Sequence, residues 1–518
     1  MDRMDKTHTS RWAALLGSAG AVRNPRRRNP ETLKIRCEAM REVHRQQGKK
    51  KTVHQESYHS LPIRDTMAAS FMDDTYEIEV EANTSTNASP RRRILPPGRQ
   101  ALANSMMKSI NASVSKLRHE DPPTIYIVPR KIRQIKNDAY EPDIVSIGPY
   151  HHGKKNLQRM EEHKWRYLHS ILSRNPNHRL EDYLEAIEEL EDKARSCYSD
   201  NVGPQMGNEF VKMMVLDGCF IVELFLKLKE EKEDPIFSTI WMLSLIGYDM
   251  LLLENQIPFF VLQRIFKMAC TVDELFLYSL PELALDFFKD FLYRNKEIPI
   301  MDSYHHLLHL LQTHVIPTGE SYLPCNHKVE SIPNKWRNPV KYLRSKGVKL
   351  KKKEKWSSIL DVEFKNGVLE IPPLQIDGST NTLFRNLVAF EQCYSEATIC
   401  FTTYVSFMDC IINTSKDVAL LYRNGIMDNM LGSDQEVAHL FNQLCIGTFD
   451  YPINYLSGLY CDVQKHCNTK WNLQWASLRR NYFTNPWASL SSIAAVILIL
   501  VTIAQTFYTV YTYHRPSS

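Results

Sequence analysis

Two carboxylates stand where desolvation would change their chemistry: Asp217 in Val215-Leu-Asp-Gly-Cys-Phe220 and Glu254 in Leu251-Leu-Leu-Glu-Asn-Gln-Ile-Pro258. Burial disfavours the charged form, so an acid in apolar surroundings can hold its proton into the range of a catalytic acid. A hydrolase could use such a pair, one carboxyl to donate a proton and one to act as base or nucleophile. The competing reading is structural, and the residues favour it: buried acids usually satisfy helix ends and backbone donors, here around the breaks at Gly218 and Pro258.

A second set is imidazole. His305 and His309 stand four apart in Ser303-Tyr-His-His-Leu-Leu-His-Leu-Leu-Gln-Thr-His314, so on a helix they share a face and could take a metal, with His314 nearby. No carboxylate at matching spacing joins them, which leaves hydrogen-bonded histidines of a core or boundary helix as the plainer account. Cys461, His466 and Cys467 supply only half of a zinc site. Glycine numbers only 18 in 518 residues, and no P-loop, G-x-G-x-x-G, G-x-S-x-G or H-E-x-x-H occurs. No metal or cofactor is therefore expected, and an enzyme is the less favoured reading.

The elements that must position these residues are mostly helical. After a polar, basic stretch to about residue 120, to which no fold is assigned, Thr124 to Pro129 reads as a short strand and Ile144 to Tyr150 ends in a Gly-Pro turn. Helices are predicted over Leu157 to Leu172, Leu180 to Lys193, Phe210 to Lys229, Phe237 to Leu253, Gln256 to Lys267, Pro281 to Tyr293, Ser303 to His314 (with Asp302 as cap) and Asn381 to Cys393. Leu180, Leu184, Ile187 and Leu190 share one face of the second, and the seven carboxylates from Glu181 to Asp192 form its solvated side. Asp361 to Ile376 alternates around Asn366-Gly367, the signature of a hairpin. The fold class expected is mostly α (α+β): a large helical domain over residues 124–475 with a short β-hairpin, interrupted by a flexible basic insert at 317–356 rich in proline and lysine.

Charge is unevenly placed. Residues 1–51 hold fourteen Lys or Arg against five acids, within an extension at 1–120 expected to be disordered: a solvated tail first, with nuclear localisation or anionic-lipid contact as alternatives. Trp12 to Val22 is too short and too diluted by Gly and Ser for a signal peptide. The insert carries Lys341, Arg344, Lys346, Lys349, Lys351, Lys352, Lys353 and Lys355 against Glu354, but aromatic interleaving is limited to Trp336, Tyr342 and Trp356, so no nucleic-acid partner is expected. The cysteines number 11, with no C-x-x-C pair, as in a reduced compartment.

From Asn481 to Tyr513 there is no Lys, Arg, Asp or Glu. Ala488 to Val510 would make a helix of about 35 Å, enough for a hydrocarbon core of about 30 Å, and Trp487 and Tyr508, Tyr511 and Tyr513 bracket it as interfacial aromatics. A single-pass transmembrane helix at 488–510 with a short tail at 511–518 is expected, inserted as in tail-anchored proteins. Lys470, Arg479 and Arg480 on its amino side against Arg515 orient the bulk toward the cytosol; a glycan at Asn83, Asn87, Asn111 or Asn413 would reverse this.

Several blocks in order resemble a plant family known as domain of unknown function 247, DUF247: Ile127-Val-Pro-Arg130, Tyr140-Glu-Pro142, Ile147-Gly-Pro-Tyr-His-His-Gly153, Leu216-Asp-Gly-Cys-Phe220, Asp249 through Phe260, Asn366 through Pro372, Phe384 through Gln392, and Asn485-Pro-Trp487. The resemblance runs from about Ile125 to Tyr513. It implies a plant protein with a mostly helical domain, a C-terminal membrane anchor and no established activity or cofactor; some grass members are associated with self-incompatibility recognition. The long N-terminal extension and Gly347-Val-Lys-Leu-Lys-Lys-Lys353 depart from the family pattern. The function expected is therefore a membrane-anchored protein of unknown biochemical activity acting in protein interaction or recognition, at plasma membrane or endomembrane, with a protein partner and membrane lipid as its contacts. The alternative is a membrane-bound hydrolase using Asp217 and Glu254.

Overall fold

The computed structural model describes residues 97–119, 122–200, 206–291, 299–301, 303–316, 336–449, 454–469 and 486–514. The chain divides into two units, residues 1–118 and 119–518. Helices of six residues or more are numbered in order. In the first unit the described residues form α1 (Pro97–His119). This corrects the expectation that the whole of 1–120 lacks structure: Ala, Leu, Met, Gln, Lys and Arg are strong helix formers, and Leu102, Met106 and Ile110 recur four apart. The rest of that extension, 1–96 and residue 120, lies outside the described residues.

The second unit begins with α2 (Arg159–Arg174), α3 (Leu180–Glu188), α4 (Glu191–Ser196), α5 (Asn208–Lys229), α6 (Ile240–Asp249), α7 (Phe259–Ala269), α8 (Val272–Leu277), α9 (Leu280–Phe287) and α10 (Leu307–Thr313). A helix apolar on nearly every side belongs at the centre. From Phe210 to Leu226, α5 is buried everywhere except Lys212, and α2, α3, α7 and α9 pack around it. Its Glu223 is neutralised by Arg174 of α2 through Nε at 3.0 Å.

Three predicted elements change form. Thr124 to Pro129 is no strand: only Ile125 bridges, to Tyr198. The single helix expected over Leu180 to Lys193 bends between α3 and α4, which brings Ala186, Ile187 and, past the bend, Ala194 into the core. The helix expected over Ser303 to His314 starts only at Leu307, because the His306 side chain caps it by accepting from the His309 N–H at 3.2 Å. Asp302 lies outside the described residues.

The carboxyl-terminal half contains α11 (Val340–Ser345), β1 (Lys349–Lys352), β2 (Glu363–Lys365), β3 (Val368–Ile371), β4 (Leu374–Ile376), α12 (Thr380–Cys393), α13 (Phe401–Ile411), α14 (Ser415–Arg423), β5 (Met427–Asn429), α15 (Asp434–Leu444) and α16 (Ser457–Asn468). The hairpin forms as expected: β2 and β3 pair antiparallel, and Asn366 (φ 51°) and Gly367 (φ 78°) make the tight turn. Pro372 and Pro373 cannot donate to a ladder, so the chain leaves β3 and β4 pairs in parallel with β5. The flexible insert expected at 317–356 is corrected over 336–356: β1 joins the hairpin in parallel with β3, and Trp336, Val340, Leu343 and Val348 are buried. Four apolar anchors outweigh the surrounding lysines; residues 317–335 lie outside the described residues.

A last helix, α17 (Pro486–His514), contains Ile493–Tyr511, 19 residues of mean hydropathy 2.2 with none of that stretch buried. It is long and apolar enough to cross a membrane.

Candidate functional site

Residues 141–153 cannot form a helix or a strand, because Pro142 and Pro149 lack N–H groups and Gly148 takes φ +73°. A buried backbone without regular structure must find its hydrogen bonds elsewhere, and side chains supply them. Asp249, at the end of α6, accepts from the N–H groups of Asp143, Ile144 and Val145, each at 2.8 Å. Asn255 accepts from Ile147 N–H at 2.7 Å and donates to the Val145 and Asp249 carbonyls. Asp217 accepts from Gly148 N–H at 2.8 Å. At Gly148 a Cβ would lie 2.3 Å from the Gln256 carbonyl oxygen, so no larger residue fits that approach.

Asp217 is paired within the core to Lys164 of α2, whose Nζ lies 2.6 Å from Oδ1 and also donates to the Ser146 carbonyl at 2.6 Å and to Glu161 at 2.7 Å. Two of its hydrogen bonds thus go to Ser146 and Glu161, and the ion pair to Asp217 completes its surroundings. Burial opposes the Lys164 charge, but Asp217 and Glu161 outweigh it and raise its pKa. Burial also raises the Asp217 pKa, against the pull of Lys164 and the Gly148 N–H. Among the described residues no cation pairs with Asp249, and burial pushes its carboxyl up to about 7 despite three backbone donors.

Glu254 grips the outer end of the same loop region. Its carboxylate accepts from Val128 N–H and from the Arg133 guanidinium, and Arg133 reaches on to Glu141 at 3.1 Å. Glu141 in turn binds Lys154. Beneath this chain of charges lies His151, 2% exposed, with Nδ1 2.7 Å from Lys154 Nζ and Nε2 3.7 Å from Glu254. Burial first and Lys154 second lower its pKa to about 4, so the ring is neutral. Of the two acids singled out in the sequence, Asp217 thus holds the loop directly, through the Gly148 N–H and the ion pair with Lys164, and Glu254 holds it only through Arg133, which reaches Glu141.

His305 and His309 do meet: their rings stack with centroids 4.5 Å apart. His309 Nδ1 accepts from the His305 N–H at 3.1 Å, and His305 Nε2 lies 2.8 Å from the Tyr394 hydroxyl, which donates to Glu396 at 3.0 Å. His306, not singled out in the sequence, is fully buried and reaches the Thr124 carbonyl at 3.0 Å. Burial pushes His309 down to about 3, with His305 adding to the shift. His314 faces the Tyr304 hydroxyl at 2.9 Å. Among the described residues no group of three or more His, Cys, Asp or Glu side chains is arranged to hold a metal. Cys461, His466 and Cys467 lie along α16, where the His466 ring packs edge-on against Phe364 of the hairpin.

Sequence reasoning missed Lys164, Asn386 and Glu391 as contributors, and named Asp249 only as the first residue of a family block. Asn386 of α12 accepts from Leu253 N–H at 2.9 Å and donates to the Ala139 carbonyl at 2.8 Å, tying the carboxyl-terminal half to the loop. Glu391 accepts from the Phe401 and Thr402 N–H groups and from Gln312, and burial raises its carboxyl to about 7. The signal that could have found Asn386 and Glu391 is the one that found Asp217: a polar side chain inside an apolar run.

Fold and site together define a helical body whose motif side chains hold an irregular loop, joined in sequence to one apolar helix. The profile of DUF247, described as "Plant protein of unknown function", matches residues 125–501, and the chain belongs to that family. It is 35% identical to UPF0481 protein At3g47200 of Arabidopsis thaliana, over 75% of this chain and 86% of the relative. It is 24% identical to Putative UPF0481 protein At3g02645 of the same plant, over 79% of this chain and 94% of the relative. No solved structure matches.

Proposed function

We propose that the protein is held at a membrane by α17 and presents its helical body, on the cytosolic side, to a protein partner. The observation that carries this reading is the engagement of the motif side chains: Asp217, Asp249 and Asn255 fix the backbone between Asp143 and Gly148, and Glu254 holds the Val128 N–H and Arg133, instead of converging on an open cleft. Such an arrangement preserves a shape, and the shape is offered outward at His152, Gly153, Lys155 and Asn156, which are exposed. Conserving a surface is what recognition requires; a reacting centre would need unengaged groups facing one point. The apolar stretch Ile493–Tyr511 supports the anchor, and Lys470, Arg479 and Arg480 against Arg515 support the cytosolic placement. Plasma membrane and endomembrane both satisfy these features.

The test is capture of partners from solubilised membranes with the full chain. Alanine at His152, Lys155 and Asn156 together is expected to abolish capture of the partner while the protein still folds and sediments with membranes. Unchanged capture would overturn the assigned surface. A full-length fluorescent fusion found free in the soluble fraction would overturn the anchor, and a glycan on Asn413 would overturn the orientation.

A further inference from the structure

The geometry points to a second membrane contact: the α11–β1 edge of the body lies on anionic phospholipid headgroups. This rests on the anchored, cytosol-facing reading above. Between Val340 and Lys355 the chain carries eight cations and one acid, Glu354. Two of the cations are neutralised within the fold, Lys351 by Glu370 at 2.9 Å and Lys353 by Asp361 at 2.8 Å and Glu363 at 3.4 Å. Lys341, Arg344, Lys346, Lys349, Lys352 and Lys355 form no ion pair with a described carboxylate; all but Lys346 are exposed, and Lys346 lies 5.5 Å over the exposed Tyr342 ring. Among the described residues β1 pairs with no strand but β3, and the apolar side chains of α11 turn inward and leave the cations outside.

Position within the chain favours lipid as the occupant. The last described helix before α17, α16, ends at Asn468 and packs on this same sheet: His466 touches Phe364, and Lys346 lies near enough to Cys467 to lower its thiol pKa against the rise caused by burial. The cationic edge therefore borders the helix that precedes the proposed anchor in sequence. A cytosolic leaflet is anionic, and its attraction for Lys and Arg acts within about a Debye length of the surface. Lysines on an edge strand also discourage pairing with another chain, a role that needs no lipid and is separable by experiment.

The full chain is inserted into vesicles of phosphatidylcholine alone or with phosphatidylserine, and lysine acetylation is followed by mass spectrometry. Lys341, Lys346, Lys349, Lys352 and Lys355 are expected to react at least about threefold more slowly on anionic vesicles, with protection lost in high salt, while exposed Lys212 on α5 is unaffected. In Lys341→Gln/Lys349→Gln/Lys355→Gln, protection of Lys346 and Lys352 is expected to fall by about half or more. Equal reactivity on both vesicles overturns the contact, as does a triple variant in which Lys346 and Lys352 keep their full protection on anionic vesicles. Flotation read on the same samples separates the two proposals: a chain that floats with neutral vesicles but shows no charge-dependent protection keeps its anchor and loses this contact. A chain that floats only with anionic vesicles keeps the contact and loses the anchor.

Discussion

The loop between Ala139 and Lys154 and the edge formed by α11 and β1 are both crowded with charge, and they use it in opposite ways. Around the loop the buried charges have partners: Lys164 meets Asp217 and Arg133 meets Glu254, and at the half-exposed rim Lys154 meets Glu141. Along the edge most cations face water without a carboxylate. Depth decides the difference, since an unpaired ion is tolerable where water solvates it and strongly destabilising where it does not. Buried charge therefore reports on how the family fold is held, and exposed charge on what the molecule can meet.

The largest effect that could break this contrast comes from leaving one buried ion alone. Lys164→Met strands Asp217 and is expected to destabilise the body by about 3–5 kcal/mol in denaturant unfolding, whereas Lys164→Met/Asp217→Leu should recover a large part of that loss. If the double variant were no better than the single, the pair would not be acting as a unit. Next comes Gly148→Ala, which forces a side chain into φ +73° and against the Gln256 carbonyl; about 2 kcal/mol or more is expected from the same measurement.

Acid titration sharpens the contrast within the loop. His151 has its pKa lowered to about 4, so on acidification the unfolded chain takes up its proton first, near 6.5, and stability falls between about pH 6.5 and 4. Asp249 has its pKa raised to about 7, so the folded protein holds that proton first, and stability rises as pH drops from about 7 to 4. His151→Gln should flatten the acid loss and Asp249→Asn should steepen it, read from melting temperature against pH. The smallest effect belongs to the edge: Lys349→Gln and Lys352→Gln should each change stability by less than about 0.5 kcal/mol. A larger loss would mean that the edge lysines hold the fold, as the loop charges do.

How much of this was legible differs from element to element. The central helix was readable because apolar residues on every side admit one location, and the hairpin because Asn366-Gly367 accepts positive φ at both positions. Asp217 and Glu254 stood out as acids in apolar runs, yet their partners did not: Lys164 lies 53 positions from Asp217 and Arg133 lies 121 from Glu254. The start of α10 was misread because His306, rather than an Asp or Ser, supplies the cap. The basic insert was misread in its second half because four buried apolar side chains are diluted among lysines.

The sequence by itself determined the helical class, the family, and the presence of a charge-free stretch suited to a bilayer, because these depend on composition, local spacing and short blocks in order. Only the tertiary structure decided that the acids and amides of the motifs meet Lys164 around one loop, and that the lysine-rich strand joins the hairpin beside the helix preceding α17. Those facts are pairings between residues far apart along the chain, and a buried donor or ion has its partner fixed by where the folded backbone brings it, not by its neighbours in sequence.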